Sequence, residues 1–443
     1  MYDSENMKIK TSVEPLFLLG GDLLVLGVSL WTALFLRRFK LPSVHDFESH
    51  LSAFIFIFII WTIVYFIYDL YSNQTVILQQ KLSALLFNAH IVNSAIALTF
   101  FYLIPFFAIT PKTNLFIFLG VSFVFLLFWR KHVIFWLGQK NKEHVLFVCS
   151  GSEVDEILAE FKNNPFYNIK VLDPQAVTEN EVKLLRPLIV INTHDHNSTE
   201  VMGNFYQMLF SGGRFVAVEN LYESMFGRIS TSLISERWFL ESVSLSEKSI
   251  YDFLKRLMDF SLALSLGLLS LVFYPFVYLA IKLEDGGEVF IKPVRVGRNN
   301  KQVALYKFRT MSVGDDKGKW NEVKNEVTKV GAFLRRSRID ELPQLWNVVK
   351  GDLSLIGPRP EFEPAVVQYN EDIKYYNVRH LIKPGLSGWA QINQTGEPHH
   401  GININETKIK LSYDLYYIKH RSFLLDVKIA LKTLRILLSR SGI

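Results

Sequence analysis

The sequence predicts a membrane α-helical N-terminal domain over residues 1–140, a Rossmann-like α/β module over 141–247 and a larger α/β domain over 248–443. Three observations support this division. Long apolar stretches crowd the first third of the chain, short β-rich runs alternate with helical runs from His144, and the last third mixes Lys and Arg with Asp, Glu, Gly and Pro. A chain of 443 residues is also too long for one ordinary domain.

The N-terminal domain is predicted from four stretches that approach the roughly 20 apolar residues needed to span a bilayer. They are residues 15–36, 53–70, 82–107 and 115–137. Buried helices of a soluble core are the alternative, but the unbroken apolar run 54–60 leaves no polar face for water. We therefore expect four transmembrane helices. Charges flank the first stretch on both sides, so they do not settle its orientation.

The net charge of +6 and the pI near 9.0 are compatible with an anionic partner. In a chain crowded with apolar spans, basic residues more often meet lipid head groups and phosphates than nucleic acid, so we expect no nucleic-acid partner. Cys149 is the single cysteine, which excludes an internal disulfide and a cysteine metal cluster.

The α/β module is predicted from alternating strand and helix patterns. Strands are expected over residues 145–149, 169–172, 188–192 and 215–219, with helices over 153–163 and 199–210. The first strand leads into Cys149-Ser150-Gly151-Ser152, which lacks the G-x-G-x-x-G loop of a dinucleotide site. An epimerase or dehydratase would also need a Tyr-x-x-x-Lys pair, which residues 144–245 do not contain. A structural or regulatory module is therefore favoured.

A fifth apolar stretch, residues 260–281, opens the last part of the chain. Lys255, Arg256 and Asp259 lie just before it, and Lys282 follows it. Pro275 lies inside it. Because proline removes a helical hydrogen bond and clashes with the preceding turn, we expect a kink there.

Many Lys and Arg residues and one acidic pair, Asp340-Glu341, follow this stretch. Together they predict a basic pocket around the acidic pair. Arginines match phosphate oxygens in a two-pronged contact, and loops rich in Gly and Pro can aim backbone N–H groups at an anion. One carboxylate of such a pair can attack or hold Mg²⁺ while the cations neutralise charge. The alternative is a helix cap at Asp340 and a solvated first-turn charge at Glu341, before a helix that begins near Pro343.

Three motifs occur in order in this part: Lys307-Phe308-Arg309-Thr310-Met311, Asp340-Glu341-Leu342-Pro343-Gln344 and Gly357-Pro358-Arg359-Pro360. With them, residues 255–434 resemble the bacterial sugar transferase family, the monotopic polyprenyl-phosphate phosphoglycosyl transferases. The four helices and the α/β module resemble the large form, whose members start exopolysaccharide, capsule or O-antigen (lipopolysaccharide) assembly. The resemblance implies a UDP-sugar and undecaprenyl phosphate as substrates, release of UMP and a requirement for Mg²⁺.

The resemblance also implies roles for single residues. Asp340 matches the nucleophile that takes the sugar phosphate as a covalent phospho-aspartyl intermediate, Glu341 matches its acidic partner, and both are candidate metal ligands. The cations expected to bind substrate are Arg335, Arg359, Lys307, Arg309 and Arg295, although each could instead be a surface charge.

Arg295 is the least secure of these cations. Pro293 and Val294 precede it where the family usually has glutamine and a polar residue, and residues 298–301 lack the second glycine expected of the hairpin. Asn300 can adopt a left-handed turn conformation, so we expect the hairpin to form.

The resemblance finally implies that the first helix of the α/β monotopic catalytic domain is re-entrant. It would enter one leaflet and turn back at Pro275, with Lys255 and Arg256 at the interface and Asp259 near the cytoplasmic mouth. The catalytic domain would then face the cytoplasm from the bacterial inner membrane, with the lipid bilayer as a partner. A homodimer through the membrane helices or the α/β module is also compatible with the sequence.

Two alternatives stay open at this point. An inactive membrane scaffold of a polysaccharide-assembly complex belongs to a different functional class, and the intact Asp340, Glu341, Arg335 and Arg359 argue against it. No residue names the hexose. The large form favours UDP-glucose or UDP-galactose, while an N-acetylated or dideoxy sugar is also possible.

Overall fold

The computed structural model describes residues 15–71, 82–103, 112–133, 142–161, 167–173, 176–192, 199–243, 249–312, 326–394 and 403–439. The chain divides into two compact units, Met1–Gly227 and Arg228–Ile443. The division into three domains stays a prediction.

The first unit begins with four apolar helices, which confirms the predicted helical N-terminal part. They are α1 (Pro15–Arg38), α2 (Val44–Ile67), α3 (Leu82–Leu103) and α4 (Lys112–Phe128), followed by a π-helical turn at Trp129–Val133. All four are long and apolar enough to cross a membrane, judged by length and composition. The predicted ends at residues 107 and 137 lie outside the described residues.

Helix α2 begins nine residues before the predicted start at residue 53. Ser43 caps it by accepting a hydrogen bond from the backbone N–H of Asp46 at 3.1 Å. The first turns are polar, so an apolar criterion does not detect them.

A buried ion pair links α1 to the ends of α2 and α4. Arg130, just after α4, donates to both carboxylate oxygens of Asp22 in α1, at 3.0 Å from Nε. Its Nη1 also donates to the Leu70 carbonyl oxygen at 2.6 Å, and the Tyr71 hydroxyl donates to Asp22 at 2.9 Å. Both charged side chains are at most 3% exposed, so the pair fixes α1 and α4 at a common level.

The rest of the first unit is built on a four-stranded parallel sheet. Its strands are β1 (Glu143–Phe147), β2 (Tyr167–Val171), β3 (Leu188–Ile191) and β4 (Arg214–Ala217), in the order β2-β1-β3-β4. Its helices are α5 (Ser152–Phe161), α6 (Glu179–Leu185), α7 (Thr199–Phe210) and α8 (Val218–Phe226). The predicted strands are confirmed within two residues at each end. The Rossmann-like assignment of this α/β part stays a prediction.

The second unit mixes helices with short strands, which confirms its predicted α/β class. The helices are α9 (Glu236–Ser242), α10 (Ser249–Ser270), α11 (Tyr274–Glu284), α12 (Lys329–Ser337), α13 (Gln344–Lys350), α14 (Glu363–Asp372), α15 (Trp389–Asn393), α16 (Ile404–His420) and α17 (Phe423–Ser439). The strands are β5 (Phe290–Ile291), β6 (Val294–Val296), β7 (Gln302–Ala304), β8 (Lys307–Phe308), β9 (Ser354–Ile356) and β10 (Gly385–Ser387).

The fifth apolar stretch is divided into two helices. A 3-10 turn at Leu271–Phe273 separates α10 from α11, and Pro275 lies in the first turn of α11. Proline is tolerated there because the first-turn N–H groups have no partner within the helix. By length and composition, the continuous segment Ile250–Glu284 is the fifth candidate membrane span of the described residues.

The hairpin after this stretch forms as predicted. Strand β6 pairs antiparallel with β7, and Asn299 and Asn300 both adopt left-handed conformations, with φ of 56° and 59°. Asparagine tolerates this region better than most residues, which is why the turn forms without the second glycine.

Candidate active site

The acidic pair lies in a tight turn between α12 and α13. Arg338 ends α12 in a left-handed conformation with φ of 57°, and Ile339–Glu341 forms one 3-10 turn. Helix α13 follows with Pro343 as its N-cap, which agrees with the predicted start. Because Pro343 holds the N-cap position, Asp340 is not the cap of α13, which excludes the alternative interpretation of this residue as a helix cap.

Asp340 is a buried carboxyl group with an unused acceptor. The residue is 7% exposed, and its Oδ1 atom is buried with no hydrogen-bond partner among the described residues. Burial raises the pKa of Asp340 above its usual value, and the neighbouring charge of Glu341 raises it further. A buried oxygen without a partner is costly, so it marks a position where a ligand would supply the missing contact.

Glu341 is held as a carboxylate by cations. Its Oε1 atom lies 2.9 Å from Nζ of Lys307 and 3.4 Å from Nη2 of Arg359, and Arg338 lies at 3.9 Å. Burial alone would raise the pKa of Glu341, but Arg359 and Lys307 outweigh it and lower the pKa to about 2. The two adjacent carboxyl groups therefore have opposite pKa shifts, which is common where two acids do different work in one site.

The loop that carries Arg359 is fixed by a second, fully buried arginine. Arg379 donates from Nη2 to the Arg359 carbonyl oxygen at 2.9 Å and pairs with Asp414 at 2.8 Å. Its Nη1 donates to the Tyr376 hydroxyl at 2.6 Å. Arg379 lies outside the sequence motifs, and a basic residue in a short 3-10 turn gives no sign from sequence that it is buried.

Arg335 projects from the last turn of α12 toward the Lys307–Met311 segment. Its Nε donates to the Thr310 hydroxyl at 2.9 Å, and its charge opposes the upward pKa shift of Asp340. The close approach depends on Gly331, where an added Cβ would lie 2.0 Å from the Thr310 carbonyl oxygen.

The other two predicted cations have partners of their own. Arg309 is buried and its guanidinium pairs with Asp285, at the end of α11. Arg295 stacks on the Phe362 ring, 4.9 Å from its centroid. Burial lowers the pKa of Arg295, with the charge of Arg359 acting in the same direction. Lys307 and Arg359 thus contact Glu341 directly, and substrate binding stays a prediction for all five cations.

The residues predicted for the re-entrant helix anchor α10 to its own unit. Lys255 lies 3.0 Å from Asp426, and Arg256 donates to the carbonyl oxygens of Val348 and Val349 at 2.6 and 2.7 Å. Asp259 accepts the Ser354 hydroxyl at 2.7 Å. These contacts fix the first turns of α10, just before the fifth apolar stretch, against α13, α17 and β9.

The donor set around Asp340 and Glu341 fits Mg²⁺. The described residues contain no cluster of three or more His, Cys, Asp and Glu side chains that could hold a metal alone. Mg²⁺ does not need one, because it is usually bound by one or two carboxylates together with water and substrate phosphates. The unpartnered Oδ1 of Asp340 is an oxygen donor of this kind.

Comparison with known proteins points to one family. The family model described as bacterial sugar transferase matches residues 250–440, which include all the site residues above. An N-acetylgalactosaminephosphotransferase of Aeromonas hydrophila, named for UDP-N-acetylgalactosamine and undecaprenyl phosphate, is 38% identical over 229 residues. That match covers 51% of this chain and 52% of the relative, so the chain spans about half of that protein.

Two further relatives are similar to part of the chain. The UDP-glucose:undecaprenyl-phosphate glucose-1-phosphate transferase of Escherichia coli K12 is 40% identical over 184 residues, which cover 41% of this chain and 39% of the relative. The uncharacterized sugar transferase EpsL of Bacillus subtilis is 43% identical over 192 residues, which cover 43% of this chain and 90% of the relative. With nearly the whole of EpsL matched at this identity, the chain belongs to the bacterial sugar transferase family.

Proposed function

We propose that this chain transfers a sugar 1-phosphate from a UDP-sugar to undecaprenyl phosphate and releases UMP, as the first membrane step of exopolysaccharide, capsule or O-antigen synthesis. The names of the Aeromonas and Escherichia relatives describe this type of transfer. A relative from Rhizobium leguminosarum is named an exopolysaccharide production protein. The whole reaction is a proposal for this chain, because two of these relatives are covered only in part.

The observation that carries the proposal is the buried, unpartnered Oδ1 of Asp340 beside a Glu341 that is neutralised by Lys307 and Arg359. A nucleophile in phosphoryl transfer needs a free oxygen, and the repulsion between it and the anionic substrate has to be offset by nearby cations. Arg335 and Arg338 add positive charge around Asp340.

In the first step, a carboxylate oxygen of Asp340 forms a bond to the β-phosphorus of the UDP-sugar. The bond between this phosphorus and the oxygen that bridges to the α-phosphate breaks, and UMP leaves with that oxygen. In the second step, an oxygen of undecaprenyl phosphate attacks the acyl phosphate, and the Asp340 carboxylate is regenerated. The product carries the sugar on a diphosphate.

Asp340 and Glu341 are the residues that would hold Mg²⁺, which when bound neutralises the charge of the pyrophosphate. The pKa of Glu341 near 2 makes this carboxylate a weak base at neutral pH. We therefore assign Glu341 to metal binding and orientation rather than to proton abstraction from the lipid phosphate.

We also propose that the segment Ile250–Glu284 is re-entrant and turns back near Pro275. A straight helix of these 35 residues would be about 52 Å long, at 1.5 Å per residue. Arg256 near its start contacts Val348, whereas Ile281 near its end packs against Leu334. Both halves of the segment contact the same compact unit. This supports a segment that enters and leaves the membrane on the same side. The unit would then face the cytoplasm from the inner membrane.

The mechanism is tested with UDP-sugar labelled in the β-phosphate. Without lipid acceptor, the enzyme is expected to retain label after denaturation and to lose it with hydroxylamine, since an acyl phosphate is sensitive to this nucleophile. Steady-state kinetics should be ping-pong. Asp340→Asn keeps the size of the side chain but should not acquire label, whereas Asp372→Asn, at an exposed carboxylate, should label normally.

Label on the Asp340→Asn variant would remove Asp340 from the nucleophile's role. Kinetics that require both substrates before UMP leaves would favour direct transfer. A panel of UDP-glucose, UDP-galactose and N-acetylated UDP-sugars, read out as UMP release, identifies the hexose. Absence of release with every sugar in the presence of Mg²⁺ and lipid would support the inactive scaffold instead.

A further inference from the structure

A second concave site lies at the start of α10 and is strongly basic. Five cations line it, namely Lys255, Arg256, Arg298, Lys383 and Arg421, against two carboxylates, Asp252 and Asp259. Neither Asp340 nor Glu341 is among the lining residues. The cavity measures about 160 Å³, roughly five times the ~30 Å³ share of one water molecule.

Two of the five cations are neutralised within the protein. Lys255 lies 3.0 Å from the buried Asp426, and Arg421 lies 3.0 Å from Asp252. Asp259 is engaged as well, because it accepts from the Ser354 hydroxyl at 2.7 Å and from a backbone N–H at 3.2 Å. Both carboxylates of the pocket therefore already have partners within the protein.

Three cations are left without a carboxylate. Arg256 donates to two neutral backbone carbonyls, and Arg298 and Lys383 have no ion-pair partner in the part of the chain that the structure describes. A Cβ placed on Gly351 would lie 3.3 Å from Arg256 Nη2 and 3.5 Å from Lys383 Nζ, so these two cationic groups converge. Burial lowers the pKa of Lys383 and the charges of Arg256 and Arg298 lower it further, against the smaller opposing effects of Asp259 and Asp352.

We propose that Arg256, Arg298 and Lys383 bind a phosphate group, which makes this pocket a second oxyanion site. An anion would remove the repulsion among the three cations, and charge-assisted contacts to phosphate are among the strongest hydrogen bonds in proteins. A phosphate group has few heavy atoms and suits a cavity of this size.

The position of the pocket favours a lipid headgroup over free phosphate. The first turns of α10 expose Phe253 and Leu257, at 69% and 55%, next to the basic lining residues Lys255 and Arg256. A surface that is apolar on one side and basic on the other is typical of contact with anionic head groups. The phosphate of the lipid headgroup would then enter the pocket from the bilayer surface, while the hydrocarbon chains of the lipid stay in the membrane.

Binding is measured on the full chain in detergent, with a fluorescent phosphatidylglycerol and with phosphatidylcholine as the weakly binding lipid. Arg298→Gln and Lys383→Gln should each weaken phosphatidylglycerol binding about tenfold, the effect of losing one charge-assisted contact. Lys301→Gln is the matched control, because it removes an exposed cation next to the same hairpin turn. It should bind like the wild type.

Competition distinguishes the sources of phosphate. Unlabelled phosphatidylglycerol or undecaprenyl phosphate should displace the probe at far lower concentration than inorganic phosphate. Equal potency of inorganic phosphate would overturn the lipid source. Unchanged affinity in both glutamine variants would overturn the site itself.

Lys383→Arg keeps the charge and should retain binding, so a loss in Lys383→Gln that Lys383→Arg restores is not a folding defect. Loss of binding in both Lys383→Gln and Lys383→Arg, with an unchanged melting temperature, would contradict the assignment to a phosphate. No UDP-sugar is present in these measurements, so the result is independent of whether the chain transfers a sugar phosphate.

Discussion

Gly331→Ala tests how closely the helix that carries Arg335 has to lie on the segment beneath it. The added Cβ would be 2.0 Å from the Thr310 carbonyl oxygen, whereas ordinary contact begins at 3.4 Å, so α12 has to move by the difference of 1.4 Å. A displacement of about 1 Å at a catalytic group costs on the order of 10²-fold in rate. We therefore expect turnover to fall about 100-fold, since α12 leads directly into Asp340.

The stability of this variant should change much less than its activity. Overpacking lowers the free energy of unfolding by about 1–3 kcal/mol, and the better helix propensity of alanine offsets up to about 1 kcal/mol of this. The assay combines UMP release with thermal unfolding in detergent, and Ala332→Ser, at an exposed position on the same helix, is the control. A folded Gly331→Ala enzyme with wild-type turnover would refute the reasoning.

Three further predictions follow from the site. Arg335→Lys and Arg359→Lys keep the charge but lose the planar two-pronged contact, so kcat/KM should fall about tenfold or more, from the loss of roughly 1.5–3 kcal/mol; near wild-type values in both would place these arginines outside the site. The pKa of Asp340 is raised above its usual 3.8, and only the ionised form attacks, so kcat/KM for the UDP-sugar should decline with falling pH well before pH 3.8 is reached. A flat profile down to the pH of unfolding would contradict this. Single cysteines at Asp252 and Lys301, placed in a Cys149→Ser background, should both be labelled from the cytoplasmic side only, and labelling from opposite sides would exclude a re-entrant segment.

Periodic features of the sequence translated well into structure. Apolar runs predicted the four N-terminal helices, alternation predicted the parallel strands of the α/β part, and Asn300 adopts the left-handed conformation expected of it. These features depend on local chemistry, such as side-chain spacing and turn propensity, which a sequence displays directly.

The internal partners of charged residues were not predictable. Arg309 is two residues from Lys307, and the sequence suggested a common anion, yet Arg309 pairs with Asp285. Arg379 and Asp414 form a buried pair across 35 positions of the chain. Contacts of this range depend on tertiary packing, and a charged side chain in the sequence does not show whether it faces solvent or another charge.

The buried Asp22–Arg130 pair constrains which of the N-terminal helices can lie next to each other. Removing one partner of a buried pair typically costs about 3–5 kcal/mol. Asp22 lies in α1 and Arg130 follows α4. Because separating α1 from α4 would leave a buried charge on each side, the pair specifies that these two helices are neighbours and couples their unfolding.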